Sequence, residues 1–513
     1  MSEVLQIFSV TKKSLEHGII NQHGKFIRQR PQKNSVSFYG LLGFTLAGVL
    51  AIIGPIEIAS FIGDTGPAAI WPIILGYVLF VLVSFPILEY TRIAPFAGGY
   101  YGLAELGFGK TAGKFTSLAN YSFYNFWQTA NAFFISWLAI DTIYILYGIL
   151  LPEWTWFLLS FLTIAVTYVM SVQRAKYLSR IVLYSILITL VAVIGFIAYV
   201  IIKTPYNSTY YLNPVHSYGG FGGIALATAV LGFYLFTGYG GALFYAEESE
   251  NSRKNMWKAV YIGLTISAFI IALGAYSEVA AVNRIDLPIV GTASIPELVT
   301  WIHYIPRIAL LAINMVILVV ALIAFGGGAG SQSRLMWAMT RDGFVKSKRL
   351  NRLNSSRSTP TNAAAFDSLL AGITVMLVGL VMVYFYGYTP STVADCFYVG
   401  GTASTILWYF HHFIPEFGLF TFLGKHKELK FSQARRYVSG LIIPVAGGVL
   451  FVYTFYLGII SDLVEPYLAF VVLAVLILIA IIVYTIYKKI KGELGNSTVE
   501  YMMAETGDVD DSK

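Results

Sequence analysis

Residues 44–66 read FTLAGVLAIIGPIEIASFIGDTG, a run apolar and long enough to cross a bilayer but interrupted at Gly54-Pro55. Pro55 removes a backbone N–H and crowds the preceding turn. The carbonyls it frees need protein or a water-lined cavity, because lipid cannot satisfy them. Glu57 sits two residues beyond the break. A broken apolar helix with a carboxylate at the break predicts a binding site inside the membrane.

The rest of the chain agrees with that reading. Of 513 residues, 57% are hydrophobic and only 12% charged, against roughly 25% charged in soluble domains. The 47 glycines and 16% aromatic residues suit close helix packing and interfacial belts. We expect an all-α, polytopic membrane protein. The net charge of +7 lies in short loops beside apolar runs, so nucleic acid is not an expected partner. The single cysteine, Cys396, cannot form an internal disulfide.

At about 20 residues per crossing, twelve helices are expected, near 40–63, 68–92, 116–149, 154–173, 178–203, 221–246, 256–282, 307–339, 362–387, 392–415, 438–460 and 466–488. All but three of the 34 Lys and Arg then fall on one side, leaving Lys203, Arg284 and Arg307 opposite. The positive-inside rule makes that basic side, with both termini, cytoplasmic. Residues 1–37 lack the short apolar core of a cleaved signal peptide and read as a cytoplasmic tail.

A second interruption falls in the sixth crossing, FYLFTGYGGALFYAEES from Phe233 to Ser249, where Gly238, Gly240 and Gly241 cluster. Interrupted segments at corresponding places in two halves point to a transporter site built on inverted repeats. The division expected is 38–203 and 204–416 for the two five-helix repeats, 417–488 for crossings 11 and 12, and tails at 1–37 and 489–513.

Four further stretches sharpen this. They are Pro95-Phe-Ala-Gly-Gly-Tyr-Tyr101 with Glu105 and Gly107-Phe108-Gly109, and Ala246-Glu247-Glu248 with Asn251-Ser-Arg-Lys-Asn255. Next come Ser333-Arg334 with Ala338-Met-Thr-Arg-Asp-Gly343, and Thr359-Pro-Thr-Asn-Ala363. In this order the chain resembles the amino acid–polyamine–organocation (APC) superfamily of permeases, although both prolines usual in the second motif are absent. The resemblance implies a LeuT-like fold, with crossings 1–5 and 6–10 as inverted repeats and 11–12 peripheral.

It also implies a substrate site between the two breaks, at Ile53, Gly54, Pro55, Ile56 and Glu57 on one side and Phe236, Thr237, Gly238, Tyr239 and Gly240 on the other. Tyr239 is expected to gate the substrate. In the family, amides at the first break hold the substrate carboxylate, whereas Pro55 has no N–H to give. An ionised Glu57 would repel a carboxylate 4 Å away by about 4 kcal/mol at an effective dielectric of 20. Glu57 is therefore protonated with substrate bound, turned away, or matched to an amine lacking a carboxylate. Asn125, Gln128 and Asn131, with Trp127, are candidate pocket residues on the third crossing; such side chains also bond between helices.

For coupling, some relatives carry a lysine on the fifth crossing. The corresponding position falls near Thr189, and no lysine lies between Lys176 and Lys203. A proton handled by Glu57 or Glu89 is the first expectation, sodium held by Thr189 and Ser331 the second, and uncoupled exchange the third. Asp141 reads as interfacial, Arg341-Asp342 as a gate or loop anchor, and His411 and His412 as the cytoplasmic end of crossing 10. No resident cofactor or metal is expected.

The leading expectation is a secondary transporter of amino acids or related amines in the plasma membrane, working by alternating access. Its partners are then the small-molecule substrate and the lipid bilayer. A polyamine or organic-cation carrier, a nutrient sensor and a metal-ion permease are the competitors. No nucleophile–base–orienter set suggests an enzyme, and no Walker motif suggests ATP.

Overall fold

The computed structural model describes residues 19–20, 26–27, 31–50, 61–93, 98–232, 234–290, 306–425, 432–461 and 463–498. These residues are helical almost throughout, apart from a two-residue antiparallel pairing of Ile19–Ile20 with Phe26–Ile27. The helices in chain order are α1 Phe38–Leu50, α2 Ile70–Ile93, α3 Tyr100–Phe108, α4 Lys110–Tyr147, α5 Trp154–Ser171, α6 Ala175–Lys203, α7 Gly220–Ala227, α8 Ser252–Ala281, α9 Leu287–Val290, α10 Arg307–Arg341, α11 Thr361–Tyr386, α12 Pro390–Lys425, α13 Gln433–Tyr437, α14 Ile443–Ser461 and α15 Tyr467–Ile490.

Local chemistry sets many of the ends. Gly109, at φ 87°, divides α3 from α4, and Gly148, at φ 67°, ends α4 with its N–H on the Tyr144 carbonyl. Both angles lie in the left-handed region that suits glycine. Thr204-Pro205 stops α6, since a residue before proline is pushed toward extended backbone.

The sixth crossing changes geometry twice. α7 passes into a π-turn at Thr228–Gly232, and Tyr234–Glu248 then winds as a 15-residue 3-10 helix. Such runs seldom exceed about four residues. Two close backbone approaches accompany the unusual winding. A Cβ on Gly238 would collide with the Gly48 carbonyl of α1, and one on Gly76 of α2 with the Gly232 carbonyl. Glycine at these points lets the chain lie flat on its neighbours.

By length and composition, eight of the described helices can cross a membrane: α2, α5, α6, α8, α10, α11, the α13–α14 stretch and α15. α6 and α11 present large apolar side chains outward, Val191 at 76% and Tyr384 at 82% exposure, as lipid contact requires. The other four segments read as crossings from the sequence correspond to α1, α4, the 220–248 segment and α12 among the described residues. Among the described helices, α4 and α12 form the most extensive packing seam, and α1 lies against the 3-10 helix. Helices surrounded by other helices need not be apolar all round, which is why these long segments hold amides, imidazoles and a carboxyl.

Two differences from expectation bear on the site. α12 runs to Lys425 rather than 415, because the apolar face continues through Leu419, Phe422 and Leu423, all buried. Pro415 lies inside it without ending it. The signature after crossing 2 also forms its own short helix, α3, whose residues 100–107 are buried.

Candidate functional site

Three of the expected site residues, Thr237, Gly238 and Gly240, lie where the 3-10 helix meets α1. Two cavities meet there, sharing Gly48, Trp127, Thr237 and Gly238 in their walls. The larger, about 320 Å³, is lined by Phe61, Asn131, Leu235, Phe397 and Ile406 among others. That volume falls at the lower end of small-molecule sites, roughly 300–1,000 Å³. The smaller, about 30 Å³, is lined by Phe44, Tyr100, Gly240, Ser331 and His411 among others. It has room for a water or two, at roughly 10–15 Å³ each.

Of the expected site residues, Thr237, Gly238 and Gly240 line these cavities. Thr237 Oγ1 donates to the Tyr234 carbonyl at 2.9 Å. Phe236 instead packs against Phe80 and Tyr77. Tyr239 turns away from both spaces, and its hydroxyl meets His412 Nε2 at 2.8 Å. Ile53, Gly54, Pro55, Ile56 and Glu57 lie outside the described residues.

The amides of α4 separate by function. Asn125 Nδ2 donates to Thr374 of α11 at 2.8 Å, and Gln128 bonds Gln332 of α10. Asn131, 1% exposed, reaches the larger cavity, with both amide atoms lacking a hydrogen-bond partner among the described residues. A buried amide without a partner is costly, so its position suits one supplied by a ligand or water.

The coupling candidates also part company. Ser331 lines the smaller cavity and donates to the Gly241 carbonyl at 3.0 Å, tying α10 to the 3-10 helix. Thr189 bonds its own helix at the Ser185 carbonyl, 3.1 Å away, and lines neither cavity. Glu89 is held by Arg92 at 2.6 Å and Arg435 at 2.5 Å. It thus joins α2 to α13.

The end of the bundle nearest α13 and residues 488–498 is closed by charge. Lys114, fully buried, contacts Tyr101, Asp342 at 3.3 Å and the Asn496 carbonyl at 3.1 Å. Tyr101 also donates to Asp342. Arg341 reaches Glu247 at 3.3 Å, and Arg334 pairs with Glu248. The stretches after crossing 2, after crossing 6 and at the end of crossing 8, far apart in sequence, therefore meet in one lock. Arg341-Asp342 serve as its anchor.

Sequence reading missed the interior position of His411 and His412, both fully buried, and of Glu416 one turn further on. They lie mid-helix because α12 is longer than expected. Their signal was an apolar stretch continuing past Pro415.

An amino acid permease family model matches residues 36–486. Branched-chain amino acid permease BcaP of Bacillus subtilis (strain 168) is 28% identical over 170 residues. The aligned stretch covers 31% of this chain and 34% of that relative, so the similarity spans about a third of the curated protein.

Proposed function

This chain belongs to the amino acid permease family, and from that premise we propose that it carries a small neutral amino acid with an aliphatic side chain across the plasma membrane by alternating access. As a permease it is a transporter and not an enzyme. The observation carrying the substrate class is the larger cavity, which pairs an apolar wall of Phe61, Leu235, Phe397 and Ile406 with the Asn131 amide, partnerless among the described residues. The apolar wall suits the side chain, and Asn131 with the backbone of the 3-10 helix suits the polar end. The branched-chain substrate in the relative's name agrees with this choice.

The packing pattern supports two inverted five-helix repeats within twelve crossings. α1 packs on α8, as α2 packs on the π-turn of the sixth crossing. α4 packs on α12, as α10 does on α6; α5 packs on α10, as α11 does on α4. Exchanging the halves turns each contact into its partner. The charge lock lies on the side that carries Val36 and the 488–498 segment, the side with the basic loops, and both termini are cytoplasmic in this reading.

A proton is the better coupling ion. Of the two hydroxyls named for the sodium alternative, alongside carbonyls of the first crossing, Ser331 lines a cavity and Thr189 does not. The test is counterflow in proteoliposomes with amino acids, polyamines and divalent metals, at several pH values and with sodium replaced. Uptake of aliphatic amino acids that tracks the pH gradient and ignores sodium is expected. Polyamine or metal flux without amino acid uptake would overturn the assignment.

A further inference from the structure

Glu416 is fully buried in α12, and neither carboxyl oxygen has a hydrogen-bond partner among the described residues. The space it occupies is made by Gly447 of α14, where a Cβ would lie 2.7 Å from Glu416 Oε1 and 3.4 Å from the Val83 backbone of α2. A carboxyl at such depth with no donor and no cation must exchange a proton or gain a counter-charge to stay there.

One helical turn earlier stands His412, on the same face as Glu416. Its Nε2 is 2.8 Å from the Tyr239 hydroxyl, and its Nδ1 has no partner among the described residues. The ring is stacked on Trp408, with centroids 4.4 Å apart. Tyr239 lies between Gly238 and Gly240, both of which line the cavities.

From this arrangement we infer that Glu416 and His412 form a proton-binding site that reports to the substrate cavity through Tyr239. The role in coupling rests on the permease reading; the proton site itself does not. With His412 neutral and its proton on Nδ1, Tyr239 donates to Nε2. When a proton is added to Nε2, the ring donates and Tyr239 must accept. The bond linking the 3-10 helix to α12 thus reverses direction with one proton, and Glu416 one turn away balances the imidazolium charge.

The other titratable groups around the site are accounted for. α3 presents Tyr100, whose hydroxyl interacts with that of Tyr239 and whose ring meets His411 at 4.9 Å. His411 Nδ1 faces the Leu407 carbonyl at 3.2 Å. α4 presents Tyr124, and α8 presents Tyr261. α2 presents Tyr90 and then Glu89, the latter engaged by Arg92 and Arg435. Beyond Arg435, α13 carries Arg436, set over Phe420 at 5.1 Å. α15 carries Tyr484 and Lys488, which is bonded to Glu493 at 2.9 Å.

Two measurements test the inference. In proteoliposomes, the ratio of pH-driven accumulation to counterflow should fall about tenfold or more in Glu416→Gln and recover in Glu416→Asp. A ratio equal to wild type in Glu416→Gln would overturn the coupling role. In detergent, the fluorescence difference between wild type and Trp408→Phe should show a one-proton step as the pH is lowered, since Trp408 stacks on His412. The step should vanish in His412→Gln and shift by about a pH unit in Glu416→Gln. No step, or an unmoved one in Glu416→Gln, would overturn the proton site. If wild-type counterflow itself is absent, the permease reading fails while the fluorescence result still decides the site.

Discussion

Glu248 and Arg334 face each other as a buried ion pair at the foot of the 3-10 helix, with Arg334 Nη2 3.2 Å from Glu248 Oε2. The guanidinium also lies 4.1 Å from the centre of the Tyr245 ring. Removing one member of such a pair costs roughly 3–5 kcal/mol, because the other is left charged and buried, whereas replacing both with apolar residues is often neutral. Arg334→Met alone should sharply lower the thermal midpoint in detergent. The double variant with Glu248→Leu should recover most of that loss. Equal destabilisation of single and double variants would show that the pair's charge is not what matters.

The Gly48–Gly238 contact gives a steric prediction. Gly238→Ala would drive its methyl into the Gly48 carbonyl, so counterflow should fall by about tenfold or more, in line with overpacking of roughly 1–3 kcal/mol. Gly401→Ala is the comparison, since a Cβ there meets nothing within 4 Å although the residue lines the larger cavity. It should fold normally, and the ratio of uptake for bulky to small aliphatic substrates should drop.

Asn131 should act on affinity more than on folding. Asn131→Leu removes from the cavity an amide with no partner among the described residues, so thermal stability should hold or rise. The substrate KM should increase by about tenfold, the usual effect of losing a hydrogen bond worth roughly 1–1.5 kcal/mol. Asn125→Leu, which breaks the bond to Thr374, should show the opposite balance.

These three amides explain much of what the sequence could and could not reveal. Residues 125, 128 and 131 look like one stripe, but at 100° per residue they fan across about 120° of helix surface. Only Asn131 meets the cavity; its companions point at α11 and α10. The interruption of the sixth segment was legible because Gly238, Gly240 and Gly241 cluster within four residues, whereas Gly54-Pro55 lies outside the described residues. The lock was legible because its stretches resemble a family's. Glu416 and His412 were not, because Pro415 read as a helix end and their neighbours come from α2, α14 and the 3-10 helix. No local pattern encodes that meeting.

Acid should loosen the segment after α15. Hydrogen bonds from Lys488 and Lys346, both at 2.9 Å, hold the Glu493 carboxyl down at about 2 from an ordinary 4.5. A depressed carboxyl stabilises above its unfolded value, and that contribution is lost as pH falls through its folded one. Protection of residues 493–498 from hydrogen exchange should therefore hold from neutral pH down to about 4.5 and decline toward 2. Glu493→Gln should lower protection at neutral pH and flatten this dependence. An unaltered profile in Glu493→Gln would assign the acid response to another group.

The Asn496 amide donates to the Asp342 carbonyl at 2.7 Å, and its own carbonyl accepts from Lys114. Ser497 bonds Glu105, and Thr498 reaches Arg341. Mechanically, this makes the stretch a drawstring through the lock. In the proposed alternating-access cycle, helices α3, α4 and α10 would part at that end only as the string is let go. A probe attached just past Thr498 would report when the door opens, and a weight hung there would help pull it.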